Sequence, residues 1–378
     1  MAEIGATGAL GFIMNDGKVE DVAPDRMPAV GADLSVSFRP DWAALRQWND
    51  ASVGAGLSYW YLGDRKLGHA VAPYAFVDIP LVRLKYFELG LRPAVGFALV
   101  TKTFYNTLPA PMDNFDHFVL KGSGTTYTVG SVFNLYLPET FYMNFPIRNG
   151  WAITLAGGWY HISNGSIRQP NSGYNIFGGE LGVRYDMSED KKLGRDLYWP
   201  EDERPKKWEV ELGWTGGGRQ VYYKDRQSFF CSTISLSAYW RAHNIFRLGG
   251  GVDVFYDGAY TERETKFGKT DLTGATQADC WRLGVSLQPE FVIGHFTAGF
   301  HAGVYLLDPV KKMEGNADKG VLYKYDLLNA GSAGHPDGWL YTQIVLRYRL
   351  PWHIFIEGQM KAHLTKVEFI SAGLGVYL

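Results

Sequence analysis

Along most of the chain, apolar and polar residues alternate with a period of two, the pattern of β-strands with one apolar face. In residues 208–214, the apolar positions are Trp208, Val210, Leu212 and Trp214. Trp and Tyr stand near strand ends on the apolar face, whereas the other face is rich in glycine and in charges of both signs. This combination favours a membrane β-barrel, whose outer face contacts lipid, over a soluble β protein.

The alternation predicts about sixteen strands, an even number, as single-chain bacterial barrels have. Their approximate positions are 4–14, 31–39, 50–63, 69–83, 86–101, 125–139, 150–164, 174–187, 206–219, 227–240, 245–258, 277–292, 295–307, 338–350, 353–364 and 367–378. The predicted fold class is therefore all-β, an antiparallel transmembrane outer-membrane β-barrel. With a periplasmic N-terminus, the external connections are predicted at 15–30, 102–124, 165–173, 259–273 and 308–337.

One segment interrupts the strand pattern. Residues 188–207, which read SEDKKLGRDLYWPEDERPKK, are charged and divide the strands eight and eight. Two arrangements remain open: one sixteen-stranded wall with a long periplasmic turn, or two eight-stranded units in series. The single wall is preferred because two fused barrels in one chain would be uncommon. The predicted organisation is eight strands in 1–187, a periplasmic connection at 188–205, and eight strands in 206–378.

Composition agrees with a barrel of the outer membrane. The 378 residues include 23 Tyr, 22 Phe, 12 Trp and 45 Gly, with a formal charge of −2. No run of about 18 uncharged apolar residues exists, which excludes a bundle of membrane helices, and no basic excess indicates a nucleic-acid partner. Met1 is interpreted as a replacement start on a mature chain. Cys231 and Cys280 are either a disulfide pair or two small wall residues.

Two polar residues occupy positions where a lipid-facing wall should be apolar. In strand 150–164 the predicted outward stripe is formed by Trp151, Ile153, Leu155 and Trp159. His161 and Ser163 continue that stripe towards the outer end of the strand. Residues at i and i+2 are about 7 Å apart at Cα, so the imidazole can reach the hydroxyl and act as its general base. The alternative is a Ser and a His that simply lie in the polar headgroup zone.

A third group comes from the next strand. If the hairpin loop 165–173 is centred near Gln169, Asn175 lies about opposite Ser163 and on the same outward face. An amide oxygen there can accept the imidazole N–H and fix its tautomer. Glu180 has the other parity and is predicted to face inward.

The segment HISNGSIRQPNSGYN, residues 161–175, resembles the signature of the lipid A 3-O-deacylase family known as PagL, especially its longer relatives called acyloxyacyl hydrolases. The similarity extends through roughly residues 1–187 and includes GLSYWYLGD (56–64), FVDIPLVR (76–83) and VGSVFN (129–134). Residues 206–378 resemble the rest of those longer relatives. Eight strands is the number in that family's barrel.

The resemblance implies that Ser163 is the nucleophile and His161 the base. Asn175 occupies the position where characterised members have a Glu, which is a departure. An Asn can orient the imidazole but cannot stabilise imidazolium by charge, so slower or differently tuned catalysis is expected.

The resemblance also implies that Asn164, Asn171 and backbone N–H groups around Gly165 help to build the oxyanion hole. The alternative is ordinary turn chemistry, in which Asn and Gly are natural.

The predicted function is a serine esterase that hydrolyses an acyl ester of lipid A, or lipopolysaccharide, in the outer membrane of a Gram-negative cell. No cofactor is predicted, and no metal, because the nine His are scattered without carboxylates at ligand spacing. The alternative function is a porin-like or structural barrel without catalytic activity. The sequence predicts neither the oligomeric state nor the acyl position.

Overall fold

A computed structural model describes most of the predicted strands. The described residues are 2–14, 26–108, 126, 128–187, 208–220, 228–259, 276–308, 340–363 and 366–378. The predicted charged connection at 188–205 lies outside these residues. So do most of the residues of the predicted external connections 15–30, 102–124, 259–273 and 308–337.

The first eight strands form one closed antiparallel barrel, in which each strand pairs with its neighbours in sequence and β8 pairs back to β1. These strands are β1 (Ala2–Met14), β2 (Arg26–Phe38), β3 (Ser52–Tyr61), β4 (His69–Arg83), β5 (Glu88–Val100), β6 (Phe133–Pro146), β7 (Trp151–Ser163) and β8 (Tyr174–Asp186). A four-residue helix, α1 (Ala43–Arg46), lies between β2 and β3. No helix in the described part of the chain is long and apolar enough to cross a membrane.

The other eight strands form a second closed antiparallel barrel, in which β16 pairs back to β9. These strands are β9 (Trp208–Arg219), β10 (Phe229–His243), β11 (Phe246–Asp257), β12 (Trp281–Ile293), β13 (Phe296–Leu307), β14 (Leu340–Arg349), β15 (Ile354–His363) and β16 (Lys366–Tyr377). A short 3₁₀ helix, Gln277–Cys280, precedes β12.

The predicted all-β barrel fold with sixteen strands is confirmed, but the preferred single wall is wrong. The strands close as two eight-stranded barrels, which is the second of the two predicted arrangements. Glycines allow close approach at both closing seams: a Cβ at Gly182 would lie 2.1 Å from the Ala6 carbonyl oxygen, and one at Gly373 would lie 1.9 Å from that of Trp214. Each closure pairs both edges of its sheet, as a barrel in lipid requires.

One predicted strand is shifted along the sequence. The prediction placed the sixth strand at 125–139, whereas β6 spans Phe133–Pro146. Pro138 does not end the strand and pairs in register with Tyr160 of β7. Just before β6, Val129 forms an isolated bridge with Asn171.

The two faces of the strands differ as the alternation predicts. Outward side chains are apolar and exposed, including Leu10 and Leu181 on the first barrel and Leu236 on the second. This outer apolar surface is what a hydrocarbon environment requires.

Aromatic rings and ion pairs fill the interior of the first barrel. Trp60 and Tyr136 are almost fully buried there. Arg92 forms a bidentate pair with Asp78, at 2.5 and 2.7 Å, and Arg184 donates to the same carboxylate at 2.9 Å. Because these buried charges are paired, the polar interior is compatible with a closed, filled barrel.

The interior of the second barrel is also charged. Arg247 pairs with Glu211 at 2.6 Å, and Arg347 pairs with Glu290 at 2.5 Å, all four side chains being buried. Cys231 and Cys280 are both buried and are not joined in the disulfide that the sequence left open.

Candidate active site

The outward face of β7 carries the candidate residues near the end of the strand. The inward-facing neighbours Tyr160 and Ile162 are 2% and 0% exposed. Since successive side chains of a strand point to opposite faces, His161 and Ser163 belong to the outer face. Ser163 is nevertheless buried, at 3% exposure, while His161 is half-buried.

Three of the predicted site residues form one hydrogen-bonded chain. Nε2 of His161 lies 2.8 Å from Oγ of Ser163, and Nδ1 of the same imidazole lies 2.8 Å from Oδ1 of Asn175. The β7–β8 hairpin positions the amide, because Asn175 stands directly opposite His161 in the register. The expected position opposite Ser163 is therefore wrong by two residues, a shift that keeps Asn175 on the predicted face.

Trp159 also contacts this chain of hydrogen bonds. Its indole Nε1 donates to Oδ1 of Asn175 at 3.1 Å, and its ring centroid lies 5.1 Å from that of His161. Sequence reasoning treated Trp159 only as part of the lipid-facing wall. The available signal was its position on the same face, two residues before His161.

Gly173 is a second residue that sequence reasoning missed. It has a φ of +74°, and a Cβ there would lie 2.9 Å from the Ile162 carbonyl oxygen, 3.0 Å from Cε1 of His161 and 3.2 Å from Cβ of Ser163. Its backbone N–H donates to the Thr128 carbonyl oxygen at 2.9 Å. Both the backbone conformation and the close approach to the imidazole favour glycine at this position.

Asn164 and Asn171 are joined to each other just beyond the end of β7. The backbone N–H of Asn164 donates to Oδ1 of Asn171 at 2.8 Å, and its side-chain Nδ2 donates to Oγ of Ser131 at 2.8 Å. These contacts hold the chain immediately after Ser163. Because the Asn164 backbone N–H is directed at Asn171, that group is not available to bind an oxyanion.

Gly165 follows Asn164 in a left-handed conformation, with a φ of +60°. The hydrogen-bonded set at the end of β7 consists of Ser163, His161, Asn175 and Trp159, with Asn164 and Asn171 beside it.

The side chain of Glu180 in β8 faces the barrel interior. Glu180 accepts hydrogen bonds from Oγ1 of Thr7 and the hydroxyl of Tyr160, both at 2.6 Å. This agrees with its predicted parity. Within the described ranges, no group of three or more His, Cys, Asp or Glu side chains is arranged to hold a metal ion.

Comparison with protein-family models gives two matches on successive parts of the chain. Residues 30–184 match the model of lipid A 3-O-deacylase (PagL), and residues 208–324 match that of the acyloxyacyl hydrolase C-terminal domain. The chain belongs to the PagL family. The PagL match includes β7, β8 as far as Arg184 and the hydrogen-bonded residues, and the second match begins at the first residue of β9.

The comparison with solved structures gives matches with TM-scores below 0.3. The crystal structure of the outer membrane enzyme PagL is 16% identical with a TM-score of 0.28, and the match covers 50% of this chain and 100% of that chain. Neisserial surface protein A is 14% identical with a TM-score of 0.29, covering 49% of this chain and 96% of that chain. A mutant of Rh. blastica porin is 10% identical with a TM-score of 0.19 over all of both chains. No curated protein sequence matches. Membership of the PagL family rests on the two family models.

Proposed function

We propose that this protein is an outer-membrane hydrolase that removes a fatty acid from lipid A by cleaving an acyl ester, with Ser163 as nucleophile and His161 as base. The observation that carries the proposal is the Ser163–His161–Asn175 hydrogen-bonded chain, with 2.8 Å at each step, on the outer face of a PagL-family barrel. A nucleophile, a base and a group that orients the base are the parts that nucleophilic ester hydrolysis needs.

In the first half of the reaction, Oγ of Ser163 attacks the ester carbonyl carbon of lipid A while Nε2 of His161 takes the hydroxyl proton. The tetrahedral intermediate then collapses, the bond to the sugar oxygen breaks, and His161 returns the proton to that oxygen. The products are an acyl-Ser163 ester and a lipid A molecule with a free hydroxyl group.

In the second half, His161 removes a proton from water, and the resulting hydroxide equivalent attacks the acyl-Ser163 carbonyl carbon. Collapse of this intermediate releases the fatty acid and returns the proton to Oγ of Ser163. Throughout, Asn175 holds the imidazole with its Nδ1 directed at the amide oxygen.

The outward position of the site fits a membrane lipid as substrate. A soluble ester would favour a pocket inside a domain, whereas a lipid in the bilayer reaches the outer wall of a barrel by lateral diffusion. The apolar side chains that continue the same stripe of β7, such as Leu155 at 44% exposure, are in a position to contact acyl chains.

Asn164 and Asn171 support the site in this proposal by fixing the chain that leaves Ser163. Their direct hydrogen bond and the bond from Asn164 to Ser131 restrain the backbone that follows Ser163. Donation to the oxyanion by a side-chain N–H of either residue, or by the backbone around Gly165, remains part of the prediction.

A test of the proposal compares lipid A from Gram-negative cells that produce the wild-type chain, Ser163→Ala or Ser37→Ala. Ser37 is a buried serine in β2 and provides the same chemical change away from the site. Mass spectrometry should show lipid A that lacks one acyl chain with wild type and Ser37→Ala, and intact lipid A with Ser163→Ala. Deacylation that persists in Ser163→Ala would refute the nucleophile, and intact lipid A with the wild type would refute the activity.

A further inference from the structure

One oxygen atom, Oδ1 of Asn175, lies within hydrogen-bond distance of two ring nitrogens. Nδ1 of His161 lies 2.8 Å from it, and the indole Nε1 of Trp159 donates to it at 3.1 Å. We propose that Trp159 is a positioning residue that fixes the tautomer of His161 by holding the Asn175 amide in one orientation, an inference that rests on the proposed function for its effect on catalysis.

An amide in this position has two possible orientations, and only one of them leaves His161 able to act as a base. An Asn side chain can rotate by half a turn at little steric cost, which exchanges its acceptor oxygen for its donor NH₂ group. With the NH₂ group towards His161, Nδ1 would have to accept, and the imidazole proton would move to Nε2. A protonated Nε2 of the neutral ring cannot take the proton of Ser163, so this orientation is inactive.

The indole of Trp159 selects between the two orientations. Its Nε1–H is a donor only, so the atom of Asn175 that it contacts must be the oxygen. With the oxygen in place, Nδ1 of His161 must donate its proton to the same atom. Nε2 is then left unprotonated at 2.8 Å from Oγ of Ser163, the state that a general base requires.

A carboxylate at the position of Asn175 would not need this device, because both of its terminal atoms are acceptors. The Trp159 N–H is therefore of special value in a chain that has an amide there. This difference provides the control for the experiment, since Asn175→Asp changes the amide to a carboxylate of nearly the same shape.

The experiment uses the full chain, purified in detergent micelles, with lipopolysaccharide as substrate. Trp159→Phe keeps an aromatic ring against His161 but removes the N–H. We expect kcat to fall about tenfold, the effect of losing one hydrogen bond of ordinary strength, with KM within about twofold of wild type. Trp240→Phe, at an outward position of β10 in the second barrel, is the matched control and should leave kcat unchanged.

The same substitution is then made in the Asn175→Asp protein. If Trp159 acts by orienting an amide, Trp159→Phe should change kcat less than about twofold in this background. An equal loss of kcat in both backgrounds would mean that Trp159 acts through packing, and it would overturn the inference. An unchanged kcat for Trp159→Phe in the Asn175 protein would overturn it as well.

A spectroscopic measurement tests the tautomer without turnover. The ring ¹⁵N chemical shifts of His161, assigned with His161→Gln, should report a proton on Nδ1 alone in wild type and on both nitrogens in exchange in Trp159→Phe. A pure Nδ1–H tautomer in folded Trp159→Phe would refute the role of the indole. This readout stands even if Ser163→Ala retains activity, so failure of the proposed function and failure of this inference are distinguishable.

Discussion

At the residue scale, the neutral side chain of Asn175 limits what this residue can do for His161 in the proposed mechanism. A carboxylate would both orient the imidazole and stabilise its protonated form, whereas the amide does only the first. The ring of Trp159, whose centroid lies 5.1 Å from that of the imidazole, is in a position to interact favourably with the imidazolium that the proposed attack by Ser163 would form. The site therefore combines a hydrogen-bonding orienter with a neighbouring ring.

Gly173 provides a test of how tightly this arrangement is packed. A Cβ at Gly173 would meet Cε1 of His161 at 3.0 Å, in a backbone conformation that disfavours a side chain. Gly173→Ala should therefore displace His161 from Ser163 and lower kcat by about 10²-fold, within the range that loss of general-base catalysis gives. Steady-state deacylation of lipopolysaccharide in micelles measures the effect.

The control for Gly173→Ala is Gly8→Ala in β1. Gly8 has no positive φ, and a Cβ there would meet no atom within 4 Å. This variant should keep the wild-type kcat. Full activity in Gly173→Ala would show that the imidazole tolerates a methyl group at this position, contrary to the packing described.

His161, Ser163 and Asn175 could be selected from the sequence because strand alternation alone places them on one face. Trp159 lies on the same face, but alternation does not reveal its hydrogen bond to Asn175 or the close approach of Gly173 to His161, which both cross the hairpin. An apolar Trp on a lipid-facing strand is unremarkable until its indole N–H is known to reach Asn175. The effect of Gly173 depends in the same way on a distance to the His161 ring that no sequence pattern specifies.

At the scale of the element, the register of the β7–β8 hairpin determines which side chains of the candidate site lie side by side. Its register pairs His161 with Asn175, two residues from the expected pairing. A shift of two keeps every side chain on its predicted face, whereas a shift of one would have turned Asn175 inward. The three candidate residues therefore lie on one face, as predicted, although the predicted register was wrong by two residues.

A second error at this scale concerns the bounds of the sixth strand. The prediction ended the sixth strand at residue 139, yet β6 continues through Pro138 to Pro146. A proline lacks the N–H that a strand interior normally uses, so the sequence favours a break there. The pairing of Pro138 with Tyr160 in the closed sheet outweighs this local preference.

At the scale of the whole molecule, the alternation predicted sixteen strands but not where the sheets close. An outward apolar face and an inward polar face look the same in a barrel of eight strands and in one of sixteen. What decides closure is the pairing of β8 with β1 and of β16 with β9, which brings together residues far apart in sequence. Small residues such as Gly182 and Gly373 permit these close approaches.

Closure at eight strands leads to a prediction about transport. Eight-stranded barrels have interiors just wide enough for side chains, and here Arg92–Asp78 and Arg347–Glu290 pairs occupy them. The purified protein should therefore produce no conductance steps in planar lipid bilayers. A sixteen-stranded porin reconstituted under the same conditions is the positive control, and stable steps of comparable size from this protein would favour the porin-like alternative.

In the proposed function, Ser163 on the outer face is the nucleophile that deacylates lipid A. Its most direct test is to titrate the purified protein with a long-chain alkyl fluorophosphonate, which labels activated serines, and to measure the labelled fraction of the Ser163 peptide beside the rate of lipid A deacylation. We predict that the rate falls in proportion to the labelled fraction and that His161→Ala is not labelled. Full deacylation by protein completely labelled at Ser163, or label that inactivates the enzyme at another residue, would contradict the account.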